Sequence, residues 1–95
     1  MDIRQLRYFC AIAEEGQISR AAQRLHIAQP PLSYQLKLLE EELGVRLIDR
    51  NTRSLSLTRA GHIFYQRAEQ ILGMLHAAAD EVKDIEFGVN GVLAI

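Results

Sequence analysis

Residues 19–33 read S-R-A-A-Q-R-L-H-I-A-Q-P-P-L-S, a pattern of two helices joined at a tight corner. Ser19 is placed to N-cap a short helix over 19–26, on which Ala21, Ala22 and Leu25 form an apolar face. Two adjacent alanines carry so little side chain that another helix can come close. Pro30 and Pro31 fit a helix only in its first turn, where backbone N–H groups lack internal partners. A second helix therefore starts near Gln29, and its exposed opening face carries Gln29, Ser33 and Tyr34. A short helix, a tight corner and a second helix with polar groups on its first turn deliver side chains into the major groove of DNA.

Working outward, Asp2 followed by Gln5 predicts a capping box that opens a first helix, with Ile3, Leu6, Phe9, Cys10 and Ala13 as its buried stripe and Gly16 as its stop. The helix over 29–43 repeats Leu32, Leu36, Leu39 and Leu43 at spacings of four, three and four, and ends at Gly44. Gln29, Ser33, Lys37 and Tyr34 lie opposite that stripe, while Glu40, Glu41 and Glu42 crowd the far end. Only the N-terminal half of this helix can then approach a polyanion. Leu47-Ile48 and Leu55-Ser56-Leu57 change the period and predict a short hairpin, or wing, with Arg50 and Arg53 in the connection. Arg50 follows a strand directly and is within reach of Asp49 or the 40–42 acids, so it is expected to be mainly structural; Arg53 lies deeper in an acid-free loop and is expected to meet DNA.

Thr58 is placed to cap a long helix over 59–87, where Phe64, Ala68, Ile71, Leu75, Ala78, Val82 and Ile85 form a heptad seam. Packing onto its own domain is one use for that seam. Three short helices and a hairpin cannot cover roughly 40 Å of helix, which favours pairing between two chains. Gly88 and Gly91 are expected to end the helix, and Val92-Leu93-Ala94-Ile95 to begin an apolar strand of a further, truncated domain.

The chain has 95 residues and a net charge of −1, which looks wrong for a DNA binder until it is divided. Residues 1–67 hold ten bases against seven acids, a balance of +3, and residues 68–95 hold Lys83 against five acids, a balance of −4. Segments 16–39 and 50–67 contain no acid and carry Arg20, Arg24, Lys37, Arg50, Arg53, Arg59 and Arg67. Such runs are often only solvated faces, but these coincide with the elements that would face phosphates. Cys10, the single cysteine, excludes an internal disulfide, reads as a small buried hydrophobe and suits a reducing compartment. No apolar run is long enough to span a bilayer, and no signal-peptide pattern is present.

Together, Leu6-Arg7-Tyr8-Phe9, Ala21-Ala22, the 29–33 stretch, Leu39-Glu40, Leu43-Gly44, Arg50 and Leu57-Thr58-Ala60-Gly61 resemble, in order and without insertions, the N-terminal part of a LysR-type transcriptional regulator. The resemblance implies a mainly α fold: a winged helix-turn-helix over 1–58, a dimerising linker helix over 59–87, and a hinge with the start of an effector-binding domain over 88–95. It implies a bacterial, cytoplasmic, ligand-responsive regulator, with double-stranded operator or promoter DNA as partner and a homodimer made through the linker helix. It leaves open a tetramer in the full-length protein and a contact with RNA polymerase. No cofactor is expected in this stretch, and a small-molecule effector is expected for the missing domain. Gln29, Pro30, Ser33 and Tyr34 take the base-reading positions of the family. The resemblance places Arg53 on the wing at the minor groove, and the charge distribution makes Arg20, Arg24, Lys37, Arg50, Arg53 and Arg59 the expected source of attraction to phosphate. Ala28 stands where many relatives have serine, and Tyr34 where many have arginine, so a detailed base preference does not carry over. The A-Q-P-P-L-S form is similar to that of members governing aromatic-acid catabolism.

Other functions fit worse. His26, His62 and His76 are 36 and 14 residues apart, without the close spacing of metal-ligand pairs. His26, at the corner of the motif, is more readily a surface residue, with a phosphate contact as the lesser option. Ser33, Asp49 and Glu40 have no nucleophile elbow or phosphate loop around them, so no enzyme is expected. RNA binding lacks an aromatic stacking platform. The rival reading is a winged helix used only for dimerisation or protein contact; Leu38, apolar and off the buried stripe, either packs under the linker helix or marks such a contact.

Overall fold

Asp2 opens the first helix by a reciprocal cap: its carboxylate accepts from Gln5 N at 2.8 Å, and Gln5 Oε1 accepts from Asp2 N at 3.2 Å. Such a cap contributes about 1 kcal/mol. A computed structural model describes residues 1–50 and 54–87. Within them the order is α1 (Ile3–Glu15), α2 (Ile18–Leu25), α3 (Gln29–Leu43), β1 (Ile48–Asp49), β2 (Ser56–Leu57) and α4 (Arg59–Phe87). Gly16 and Gly44 end α1 and α3 in the left-handed conformation, at φ 73° and 74°. The strands pair antiparallel with Ile48 opposite Leu57. Leu47, expected in the first strand, instead sits fully buried just before it. The fold is mainly helical, as expected: three helices, a two-stranded wing and a long final helix.

Two boundaries of α2 differ from expectation. The helix begins at Ile18 with Gln17 as its N-cap and no side-chain cap bond, so Ser19 is already inside it. Starting one residue early packs Ile18 against the core, which is worth more than the roughly 1 kcal/mol of a hydroxyl cap. At the other end His26 lies outside the helix, as a left-handed C-cap at φ 59° whose N–H bonds the carbonyls of Ala22 and Gln23. Only this non-glycine residue among those described has positive φ. It supplies the tight corner at a conformational cost of about 1–2 kcal/mol.

The core joins α1, α2 and α3 through Phe9, Ile12, Ala21, Ala22, Leu32 and Leu39, and Leu47 with Ile48 of β1 closes it. Ala21 and Ala22 are fully buried, which is the close helix approach that their size allows. A smaller cluster of Leu6, Cys10 and Ala68 ties α1 to α4. Phe64 of α4 meets Phe9 edge-on, with ring centroids 5.4 Å apart. Burial pushes the Cys10 thiol up to about 11, so it stays a thiol at neutral pH and serves as packing.

One junction fixes how α4 leaves this body. Thr58 Oγ1 accepts from Gly61 N at 3.0 Å and donates to the Arg46 carbonyl at 2.7 Å. Thr58 N also donates to the Leu47 carbonyl at 3.0 Å. The threonine expected as a helix cap therefore also fastens α4 to the chain entering the wing. From Ile71 onward nearly every residue of α4 is exposed, and the described molecule extends 57 Å along its long axis.

Candidate nucleic-acid interface

The turn that aims α3 begins at Ala28, which caps the helix without a side-chain bond, as expected from the missing serine. Pro30 and Pro31 occupy the first turn, where they remove no helical hydrogen bond. Gln29, Pro30, Ser33, Tyr34 and Lys37 are all exposed. Gln29, Ser33 and Lys37 stand four residues apart and form one polar stripe along the helix. Tyr34 flanks it with 58 % of its surface accessible. The opposite face is the buried row of Leu32, Leu36 and Leu39, so the helix cannot roll the stripe inward without exposing its core residues. Gln5 Nε2 donates to Gln35 Oε1 at 3.0 Å, which pins α3 to α1 just beside Tyr34.

The six expected phosphate-binding cations divide into three groups. Arg20, Lys37 and Arg59 are exposed and make no ion pair among the described residues. Arg24 is held by α1, 2.7 Å from Glu14 and 3.3 Å from Glu15. Glu14 also accepts from the Tyr65 hydroxyl of α4 at 2.5 Å. That bond first, and Arg24 second, keep the Glu14 carboxyl below the usual carboxylate range. Arg24 thus sits in a network spanning α2, α1 and α4. Arg50 donates to Glu40 Oε1 at 3.1 Å. Arg53 falls outside the described residues, as does everything expected of 88–95.

Glu40 is not the solvated acid that its place among three glutamates suggested. Only 8 % of it is accessible. Its Oε2 accepts from Leu47 N at 2.8 Å and Ile48 N at 3.2 Å, while Oε1 takes Arg50. The carboxylate satisfies two backbone donors where the chain turns from α3 into the wing. Removing it leaves those buried donors bare, at about 1–3 kcal/mol each. Glu40→Ala is therefore expected to lower Tm by at least 10 °C, and Arg50→Ala by only about 4–8 °C, in a thermal melt of each variant. Equal, negligible shifts would mean that Glu40 does not organise the wing. Of the other two acids, Glu42 accepts from the N-terminal ammonium at 2.6 Å.

On α4, the first two residues of the expected seam are already engaged inside the chain: Phe64 lies on Phe9, and Ala68 is buried beside Leu6 and Cys10. Ile71, Leu75, Val82 and Ile85 are 44, 41, 66 and 74 % accessible, and Ala78 is exposed with them. Leu38 is half-buried. No group of three His, Cys, Asp or Glu among the described residues is placed to hold a metal ion. No helix among them is long and apolar enough to cross a membrane.

Residues 3–62 match the family described as bacterial regulatory helix-turn-helix protein, lysR family. The chain belongs to the lysR family. Over 96 aligned residues this LysR-family chain is 53 % identical to the HTH-type transcriptional regulator BsdA of Bacillus subtilis, covering all of the chain and 33 % of BsdA. Among solved structures it superposes on the BenM DNA-binding domain in complex with catB site 1 DNA with a TM-score of 0.88 and 45 % identity, covering 90 % of this chain and 96 % of that one. BenM is a regulator of Acinetobacter baylyi. The CbnR DNA-binding domain solved with DNA gives a TM-score of 0.82 at 44 % identity, covering 87 % and 95 %. The chain spans about a third of the length of curated relatives such as BsdA. It is a LysR-type DNA-binding domain.

Proposed function

We propose that this domain reads a twofold-related operator as a homodimer, each α3 entering a major groove and each wing lying along a minor groove. The observation that carries this is the exposed stripe of Gln29, Ser33 and Lys37, with Tyr34 beside it, backed by a buried leucine row that fixes its orientation. Gln29, Pro30, Ser33 and Tyr34 meet base edges, the tyrosine offering a hydroxyl donor and a ring face for a thymine methyl. Arg20, Lys37 and Arg59 supply free positive charge for phosphates, with Arg53 at the minor groove. Arg24 and Arg50 contribute after sharing their charge with Glu14, Glu15 and Glu40.

Dimerisation uses the exposed part of the α4 seam, Ile71, Leu75, Ala78, Val82 and Ile85, which has no apolar partner among the described residues, while Phe64 and Ala68 hold the start of α4 against α1. On this reading 1–58 is the DNA-binding unit, 59–87 the linker helix and 88–95 a hinge toward an effector-binding domain. The whole protein is then a bacterial, cytoplasmic regulator that answers a small molecule.

A titration of random-sequence duplex across a salt series tests the electrostatic half of the proposal. Log affinity should fall linearly with log salt, by about 0.9 for each phosphate neutralised. Arg20→Ala should weaken every duplex alike and reduce that slope by about one phosphate's share. Salt-independent or undetectable binding would favour a protein-contact role for the exposed face.

A further inference from the structure

Arg46 belongs to neither acid-free run of the sequence, standing between the 40–42 glutamates and Asp49. The left-handed cap at Gly44 turns the chain back along α3, and Thr58 Oγ1 anchors the Arg46 carbonyl at 2.7 Å. The side chain is left exposed and makes no ion pair among the described residues. It lines an open groove of about 670 Å³ together with Ser33, Lys37, Glu41 and Arg50. This groove begins at a residue of the polar stripe and continues along α3 toward the wing.

We infer that this groove seats a phosphate of the DNA backbone and that Arg46 is one of the residues holding it. The inference rests on the DNA reading above and adds a residue to it. Four charges other than Arg46 line the groove, and two of them cancel, because Arg50 is paired with Glu40 at 3.1 Å. Lys37 and Arg46 then face the single carboxylate of Glu41, so the groove has an excess of free positive charge. Backbone contacts of this kind set register and orientation on the duplex without reading sequence. A phosphate held beside Lys37, one helical turn after Ser33, would set how deeply Gln29 and Ser33 enter the major groove.

The test uses the 95-residue chain, a random-sequence duplex and a selected high-affinity duplex, each titrated across salt. Arg46→Ala should weaken both duplexes by the same factor. It should also reduce the loss of affinity between about 50 and 200 mM salt by roughly threefold, the share of one phosphate at 0.9 in slope. Arg46→Lys should restore the slope, and Glu41→Gln should strengthen both duplexes. The Arg46→Ala melting curve should match that of the unmodified chain, since only the carbonyl of Arg46 serves the fold. An unchanged slope and affinity for Arg46→Ala overturns the inference, as does a loss confined to the selected duplex. If the unmodified chain itself shows no salt-dependent binding, the DNA reading falls, and this seat falls with it.

Discussion

Replacing Gly61 by alanine should cost the domain about 2–4 kcal/mol, even though alanine is the better helix former. A Cβ at this position would fall 2.0 Å from the Leu47 carbonyl oxygen, which is backbone and cannot swing aside as a long side chain could. The helix gain is about 1 kcal/mol, whereas an overlap this deep must push α4 off the wing and strain all three hydrogen bonds of the Thr58 junction. Overlap wins. Gly73 lies in the same helix with nothing within 4 Å of its added Cβ, so there only the helix gain operates. Thermal melts should show Gly61→Ala lowered by 10 °C or more and Gly73→Ala raised by a few degrees. A Gly61→Ala protein as stable as the parent would mean that α4 is not fastened to the wing as described.

Introducing glutamate at Ile71 or Leu75 should dissociate the proposed dimer while leaving each chain folded. Both side chains are more than 40 % accessible within one chain, so a charge there is tolerated in a monomer. In a paired seam the same charge is buried without a partner, and twofold symmetry places two of them in each dimer. Each costs several kcal/mol, enough to raise the dimer dissociation constant at least a thousandfold. Light scattering should report dimers for the parent chain and monomers for Ile71→Glu, with unchanged helical content by circular dichroism. Affinity for a duplex with two half-sites should fall to that for a single half-site. A parent chain that stays monomeric at high concentration, or a Leu75→Glu chain that stays dimeric, would contradict the use assigned to this face.

Element boundaries were legible where a local residue enforces them. Asp2 with Gln5, the Pro30-Pro31 pair, Thr58, Gly16 and Gly44 each act on backbone groups within four residues of themselves, and each acts in the structure as the sequence predicts. Ser19 misled because its local capping preference competes with burial of Ile18, a term supplied by helices distant in sequence. Glu40 was hidden for a similar reason: its partners at 47, 48 and 50 approach only after the Gly44 turn. A signal for it did exist. Glu40 lies four residues after Leu36, next to the buried leucine row, where a solvated acid is out of place. Gly61, inside a helix pattern, likewise marked a close backbone approach.

On the functional side, the polar stripe of α3 follows from the leucine period alone, because whatever opposes a buried row must face outward. The state of each arginine does not follow. Arg24 and Arg20 look alike in sequence, yet packing of α2 on α1 gives one of them two carboxylate partners and leaves the other without an ion pair among the described residues. Arg50 was expected to be mainly structural, and its bond to Glu40 supplies a structural use. Phe64 and Ala68 belong to the predicted seam by spacing, but the first turns of α4 lie over α1 and engage them there.

Base reading by the exposed face of α3 is decided by selection of duplexes from a random-sequence pool. The parent chain should enrich two inverted half-sites whose centres are separated by whole turns of the double helix. Repeating the selection with Gln29→Ala should erase the preference at one or two base pairs in each half-site and keep it elsewhere, each lost contact being worth about 1–3 kcal/mol of discrimination. A parent chain that enriches no sequence, or a Gln29→Ala chain that enriches the unaltered motif, would mean that this face of α3 does not read bases.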